Sequence, residues 1–330
     1  MVEWHRTTLG RMSAIAFVFP GQGSQTVGMG AALVARSPAA AAVFAAADAA
    51  LGESLSRLAW EGPAETLNLT ENAQPALLAT SIAYLAALRE RWAARAAAGG
   101  APAPEPAFVA GHSMGQYSAF VASGALDLAD GVRLVRERGR LMQASSSGRE
   151  GRMAALIGLD EARLPELVAG ASAFGVFGVA NRNAPGQVVV SGERAAVEAS
   201  LQLARTLGAR RAIELPVSVA AHSPLMAEAA EQMTAVLAGV SFHDPHPAGL
   251  ANADARPIRT ADDARMELVE HLTTGVDWIR AVETMVADGV TTFIEIGPGR
   301  VLTGLISRIA PGATTLATDA QNAPDGLAVP

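Results

Sequence analysis

The 330-residue chain has no cysteine, which excludes disulfides, thiolate metal sites and a cysteine nucleophile. It has no lysine either: all 25 basic residues are arginine. Schiff-base chemistry and the lysine of a Walker-type phosphate loop are therefore excluded. Positive charge is in deficit, with a net charge of −7 at pH 7, which argues against nonspecific nucleic-acid binding. No apolar run reaches the length of a membrane span, and the opening MVEWHRTTLGRM lacks the apolar core of a signal peptide. The expectation is a cytoplasmic enzyme with no metal, no bound cofactor, no nucleic-acid partner and no membrane.

What is present is half hydrophobic, enough to bury one large domain or two smaller ones. Residues 14–19 read as a buried strand ending at Pro20, followed by the loop Gly21-Gln22-Gly23-Ser24-Gln25. Helical segments follow from about Met29 to Trp60, and helical periodicity runs from Glu71 to Ala98, where Gly99-Gly100 stops it. After Ser145-Ser146-Ser147-Gly148 the pattern changes. Strand-like segments at 153–159, 175–180, 187–191 and 210–215 enclose helices near 161–169 and 193–207, a β-α-β-β-α-β order. Helix–strand alternation resumes at Ser223 and ends with a strand over 292–296 and a helix over 300–309.

The stretch FVAGHSMGQYSAF (108–120) matches the G-x-S-x-G nucleophile elbow. A serine at the tip of a sharp strand-to-helix turn needs small neighbours two residues away, and Gly111 and Gly115 supply them. The new helix would aim its first free N–H groups and its positive dipole end at Ser113 Oγ, where an oxyanion develops. The expected fold class is therefore α/β. A large α/β-hydrolase-like subdomain with a mostly parallel sheet (13–147 and 220–312) carries an inserted small ferredoxin-like subdomain (148–219). A dispensable N-terminal extension (1–12) and a loosely held C-terminal tail (313–330) complete the expected organisation.

A serine nucleophile needs a base, and the chain has six histidines. His5 is in the extension, and His243 and His246 sit in a Pro/Asp loop. His112 is adjacent to Ser113, and adjacent residues at such a turn point apart. His222 follows the apolar segment 217–221, which reads as a strand end, and precedes Ser223-Pro224, a helix start; a loop between a strand end and a helix is where α/β enzymes place catalytic groups. His271 lies within a helical stretch and reads as structural. In LADGVRLVRERGRLMQ, Arg138 falls on the apolar stripe of Gly131, Leu134, Val135, Leu141 and Met142, opposite Arg133, Arg136, Glu137 and Arg140. A buried guanidinium keeps its proton and costs several kcal/mol unless paired. Two readings stand: a structural ion pair, or a fork waiting for a substrate carboxylate.

FVFPGQGSQTVGMG, GHSMGQYSAF, RGRLMQ, VANRNAPGQVVVSG, VSVAAHSPLM and IEIGPGRVLTGLI together, in order and spacing, resemble the malonyl-CoA:acyl carrier protein transacylases and the acyltransferase domains of polyketide synthases. The resemblance covers about 13–310. It implies Ser113 as nucleophile, His222 as base, the backbone N–H groups of Gln22 and Met114 as the oxyanion hole, and Arg138 as the grip on the malonyl carboxylate. It also implies that the His271 main-chain carbonyl orients His222 in place of an aspartate. His112, Asn183 and Gln187 would line the cleft, and Arg211 would meet a CoA phosphate.

The implied reaction passes malonyl from malonyl-CoA, a substrate and not a resident cofactor, through Ser113 to the phosphopantetheine thiol of an acidic acyl carrier protein. Docking such a partner needs a local basic patch, for which Arg133, Arg136, Arg140, Arg205 and Arg210 are candidates. Ala221 stands where many malonyl-specific synthase domains carry a bulky aromatic, which leaves room for methylmalonyl. Met114 and Gln116 replace the commoner Leu and Glu of the elbow motif. A serine acyl hydrolase and an inactive carrier-binding module are the rival readings, and an intact Ser113, His222 and Arg138 set speaks against the latter.

Overall fold

The computed structural model describes residues 14–145, 150–217 and 219–319. The expected extension over 1–12 lies outside the described residues, as do residues 320–330 of the expected tail. The chain begins with β1 (Ala14–Phe19) and the helices α1 (Ala31–Val34), α2 (Pro38–Leu51), α3 (Leu55–Glu61), α4 (Ala64–Leu67) and α5 (Thr70–Ala97). Next come β2 (Phe108–Gly111), α6 (Gly115–Ala122) and α7 (Leu128–Ala144). The middle of the chain runs β3 (Gly151–Ile157), α8 (Leu164–Ser172), β4 (Phe177–Ala184), β5 (Gln187–Glu193), α9 (Arg194–Thr206) and β6 (Arg211–Glu214). Then α10 (Ala227–Ala238), β7 (Ala248–Leu250), β8 (Pro257–Ile258), α11 (Ala261–Thr274), β9 (Val276–Asp277), α12 (Trp278–Ala287), β10 (Val290–Glu295), α13 (Val301–Ile309) and β11 (Thr314–Ala317) close it. The fold is mixed α/β.

The larger sheet has the order β11-β10-β1-β2-β7-β8 and is parallel throughout except for the β7–β8 pair. Its central strand explains why AIAFVF is apolar without alternation. Ile15, Phe17 and Phe19 face a core built with α2, α5, α6 and α7, while Ala16 and Val18 face one built with α12 and α13. A strand covered on both faces has no polar side to show. The second sheet, β6-β3-β5-β4-β9, is antiparallel over its first four strands and packs α8 and α9 on one face. Its fifth strand is borrowed: β9, from the segment after α11, pairs in parallel with β4 through Asn181–Val276 and Arg182–Asp277.

Two expectations need correction. The tail was expected to be loose from 313, but residues 314–317 form β11, the parallel edge strand beside β10. Thr318 and Asp319 then tie the chain to the Gly297–Gly299 turn, and Tyr84 Oη donates to Asp319 Oδ1 at 2.5 Å. Pairing with a preformed neighbour decides this strand, since its own TTLA sequence carries little propensity beyond its two threonines. The apolar segment before His222 is not a strand: β6 stops at Glu214, and the described residues of 215–222 form a loop crossing between the two sheets.

Candidate active site

The elbow is built by backbone approach. A Cβ on Gly111 would lie 2.0 Å from the Gly115 carbonyl carbon, and one on Gly115 would lie 2.2 Å from the Phe19 oxygen. Between them Ser113 takes φ 54°, in the left-handed region that favours glycine. Gln116, buried in the first turn of α6, staples the elbow: its Oε1 accepts from Gly111 N at 3.0 Å and its Nε2 donates to the Leu250 carbonyl at 3.0 Å.

Ser113 Oγ lies 2.8 Å from His222 Nε2. His222 Nδ1 lies 2.6 Å from the His271 carbonyl oxygen, so Nδ1 carries the proton and Nε2 presents its lone pair to the serine. That carbonyl is free because His271 sits in the last turn of α11, where the final carbonyls of a helix have no intrahelical partner. His222 itself has φ 60°. Burial, followed by the nearby Arg138 charge, drops its pKa to about 3, so the imidazole is neutral in the resting site. His271 is held well below its ordinary range by the same two causes, and His112 is lowered by burial.

Arg138 is 1% exposed on α7. Gly139, whose Cβ would stand 2.5 Å from the Glu71 Cα, lets α7 press against α5 and brings the guanidinium to Gln74. Nη1 donates to Gln74 Oε1 at 2.8 Å. Nη2 donates to Ser113 Oγ and to His271 Nε2, each at 3.3 Å, and Nε has no partner. His271 can accept there because its Nδ1–H is spent on the Glu267 carbonyl at 2.8 Å. Every acceptor on the guanidinium is neutral; among the described residues no carboxylate pairs with it. Among the described residues the ion-pair alternative has no partner.

These groups open onto a cleft of about 670 Å³ between the two sheets. Gln22, His112, Ser113, Met114, Arg138, Asn183, Gln187, Ala221 and His222 all line it. His112 Nε2 turns away from Ser113 to Asn183 Oδ1 at 2.8 Å, and Arg308 reaches Gln187 Oε1 at 2.5 Å. Among the described residues, no backbone carbonyl takes the Met114 N–H or the Gln22 N–H. Arg211 is not among the residues lining the cleft; it is exposed on the edge strand β6, in register with Ile157.

The basic candidates on α7 are also partly spent: Arg133 pairs with Asp130, Arg136 with Glu53 and Asn72, and Arg140 with Glu137. Sequence reasoning missed Gln74, Asn252 and Glu267. Gln74 had a signal, since it is the one polar residue in the apolar run AQPALLA of α5. Asn252 sits in a loop rich in small residues and carried none. Among the described residues no cluster of His, Asp or Glu could hold a metal ion, and no helix is long and apolar enough to cross a membrane.

Residues 16–317 match the acyl transferase domain family. The chain is 44% identical over 317 residues to the malonyl CoA-acyl carrier protein transacylase of Escherichia coli (strain K12), covering 96% of this chain and 98% of that protein. The acyl-carrier-protein-S-malonyltransferase from Bartonella henselae has a solved structure that matches with a TM-score of 0.88 at 42% identity, over 94% of this chain and 96% of that one. A malonyl-transacylase solved in complex with its type II PKS acyl-carrier protein matches with a TM-score of 0.87 at 39% identity, over 94% and 97%.

Proposed function

The chain belongs to the acyl transferase domain family, among its malonyl CoA-acyl carrier protein transacylases, and from that premise we propose which residues carry the reaction and how. The chain transfers malonyl from malonyl-CoA to an acyl carrier protein in fatty acid or polyketide synthesis. In our reading, Ser113 Oγ attacks the thioester carbonyl while His222 Nε2 takes its proton. The N–H groups of Met114 and Gln22 receive the oxyanion. Collapse expels the CoA sulfur, which takes the proton back from His222, and leaves malonyl esterified to Ser113. The thiol of the carrier's phosphopantetheine then gives its proton to His222, attacks the ester, and Ser113 leaves with that proton.

The observation that carries this reading is the Arg138 guanidinium 3.3 Å from the nucleophile and lacking any anionic partner among the described residues. A cation so close to Oγ suits an acid whose carboxylate is one carbon from the reacting carbonyl, which is a malonyl group. Two forked hydrogen bonds to that carboxylate would replace two long contacts to neutral acceptors. Binding would also cancel the charge that depresses His222, so the base strengthens as substrate arrives.

We read the larger sheet as α/β-hydrolase-like, supported by the elbow between β2 and α6. The smaller sheet reads as ferredoxin-like, supported by the spatial order fourth-first-third-second of its strands β3 to β6. The test is intact-protein mass after exposure to malonyl-CoA, without and then with carrier protein. One malonyl should appear on wild type, vanish on adding carrier, and be absent from Ser113→Ala. Malonyl on the Ser113→Ala protein would falsify the assignment.

A further inference from the structure

The Ser113 backbone N–H belongs neither to α6 nor to the larger sheet. It donates to Asn252 Oδ1 at 2.9 Å, from a residue 139 positions away. Asn252 follows β7 and is 3% exposed. Its carbonyl accepts from Asp277 N at 2.7 Å, and its main-chain N–H donates to Glu267 Oε1 at 2.7 Å. Glu267 is 1% exposed and forms no salt bridge among the described residues. It stands on the buried face of α11 beside Ala264, Leu268 and Leu272. A leucine there would avoid the carboxyl's desolvation penalty but would leave the buried Asn252 N–H without its acceptor.

We propose that Glu267 and Asn252 are a positioning pair for the nucleophile: Glu267 anchors the Asn252 main chain, and Asn252 Oδ1 in turn holds the Ser113 N–H. This rests on Ser113 being the nucleophile. Glu267 Oε1 accepts the Asn252 main-chain N–H, and the Ser113 N–H, being a donor, selects the oxygen end of the Asn252 amide. The elbow needs such a hold, since φ 54° persists only where surrounding structure over-determines it.

The same turn of α11 carries His271, whose carbonyl holds His222 and whose Nε2 touches Arg138. Glu267 and His271 are four residues apart, so one helical turn sets the spacing of nucleophile, base and carboxylate grip. Burial pushes the Glu267 carboxyl up to about 8, against the Asn252 hydrogen bond, which favours the ionised form.

Single-turnover acylation by malonyl-CoA tests the pair, read beside phosphonylation by a neutral fluorophosphonate, which reports serine geometry without using Arg138. Glu267→Leu should slow both reactions on the order of 10²-fold, the cost of an ångström of misplacement, with little change in the half-saturating malonyl-CoA concentration. Glu267→Gln still offers an acceptor to Asn252 and should recover most of the rate. If Glu267→Leu fails to fold, Asn252→Ala is read against the same expectation. Wild-type rates in Glu267→Leu or Asn252→Ala would overturn the pair, as would a loss confined to half-saturation or one that Glu267→Gln does not recover. Acylation of a Ser113→Ala control would instead sink the nucleophile assignment itself, whatever the other variants show.

Discussion

At the scale of single residues, the site separates a permanent charge from a neutral base. Arg138 keeps its proton with only neutral acceptors around it, so its unsatisfied charge is available to an incoming carboxylate. Arg138→Ala should lower kcat/KM for malonyl-CoA by about 10²–10³-fold, in line with the loss of one member of a buried charged pair. Acetyl-CoA, which leaves the arginine unpaired, should lose far less. Arg138→Lys should not restore the rate, because an ammonium lacks the fork. Steady-state kinetics on both thioesters, beside melting curves, check this. Equal losses on both substrates with a lowered Tm would make Arg138 a structural residue.

His222 gives a second residue-scale expectation. Since burial and Arg138 hold it near 3, the free enzyme should show no protonation step at the ordinary histidine value in kcat/KM between pH 5 and 8. A limb near 6.5 in that profile would mean that the imidazole is solvated and far from the cation.

At the scale of elements, the β2–elbow–α6 unit depends on two glycines whose missing side chains are replaced by backbone atoms of a neighbour. Gly111→Ala should cost more than the roughly 1–3 kcal/mol typical of overpacking, because the struck atoms at 2.0–2.1 Å are backbone and have no rotamer to change. Chemical denaturation of the variant measures this. A stability loss under 1 kcal/mol would show that β2 and α6 can separate without disturbing the sheet. The elbow was legible in the sequence because its G-x-S-x-G pattern lies within five consecutive residues, although the backbone that Gly115 meets belongs to Phe19 of β1. The loop before His222 was not, because an apolar run crossing between two sheets has the composition of a strand. What decides between strand and loop is whether a neighbour offers its backbone hydrogen bonds.

At the scale of the whole molecule, two buried titrations tilt stability in opposite directions. His222 refuses a proton down to about 3 while the unfolded chain accepts one near 6.5, so stability falls as pH drops below 6.5. Glu267 keeps its proton up to about 8 while the unfolded chain releases one near 4.5, so its contribution is full below 4.5 and is lost as pH rises through 8. Glu267→Gln should remove the second slope and leave the first, as read from denaturation midpoints across pH 4–9. An unchanged alkaline slope would mean that Glu267 is ionised in the native protein. Truncation after Gly312 should also lower the Tm and promote association, because it strips β11 from the edge of β10 and removes the Thr318 and Asp319 ties.

The sequence by itself determined what depends on near neighbours. A six-residue apolar strand, a G-x-S-x-G turn, an amphipathic helix with an arginine on its apolar stripe and a helix stopped at Gly99-Gly100 are each written within a few turns of chain. Only the tertiary structure decided which of these meet. Ser113 and His222 are 109 residues apart, Arg138 and Gln74 are 64 apart, and the Ser113 N–H reaches across 139 to Asn252. Such contacts depend on which strands lie side by side and on how closely α7 can approach α5. No local pattern encodes that, because a buried polar side chain looks the same in sequence whichever distant partner satisfies it.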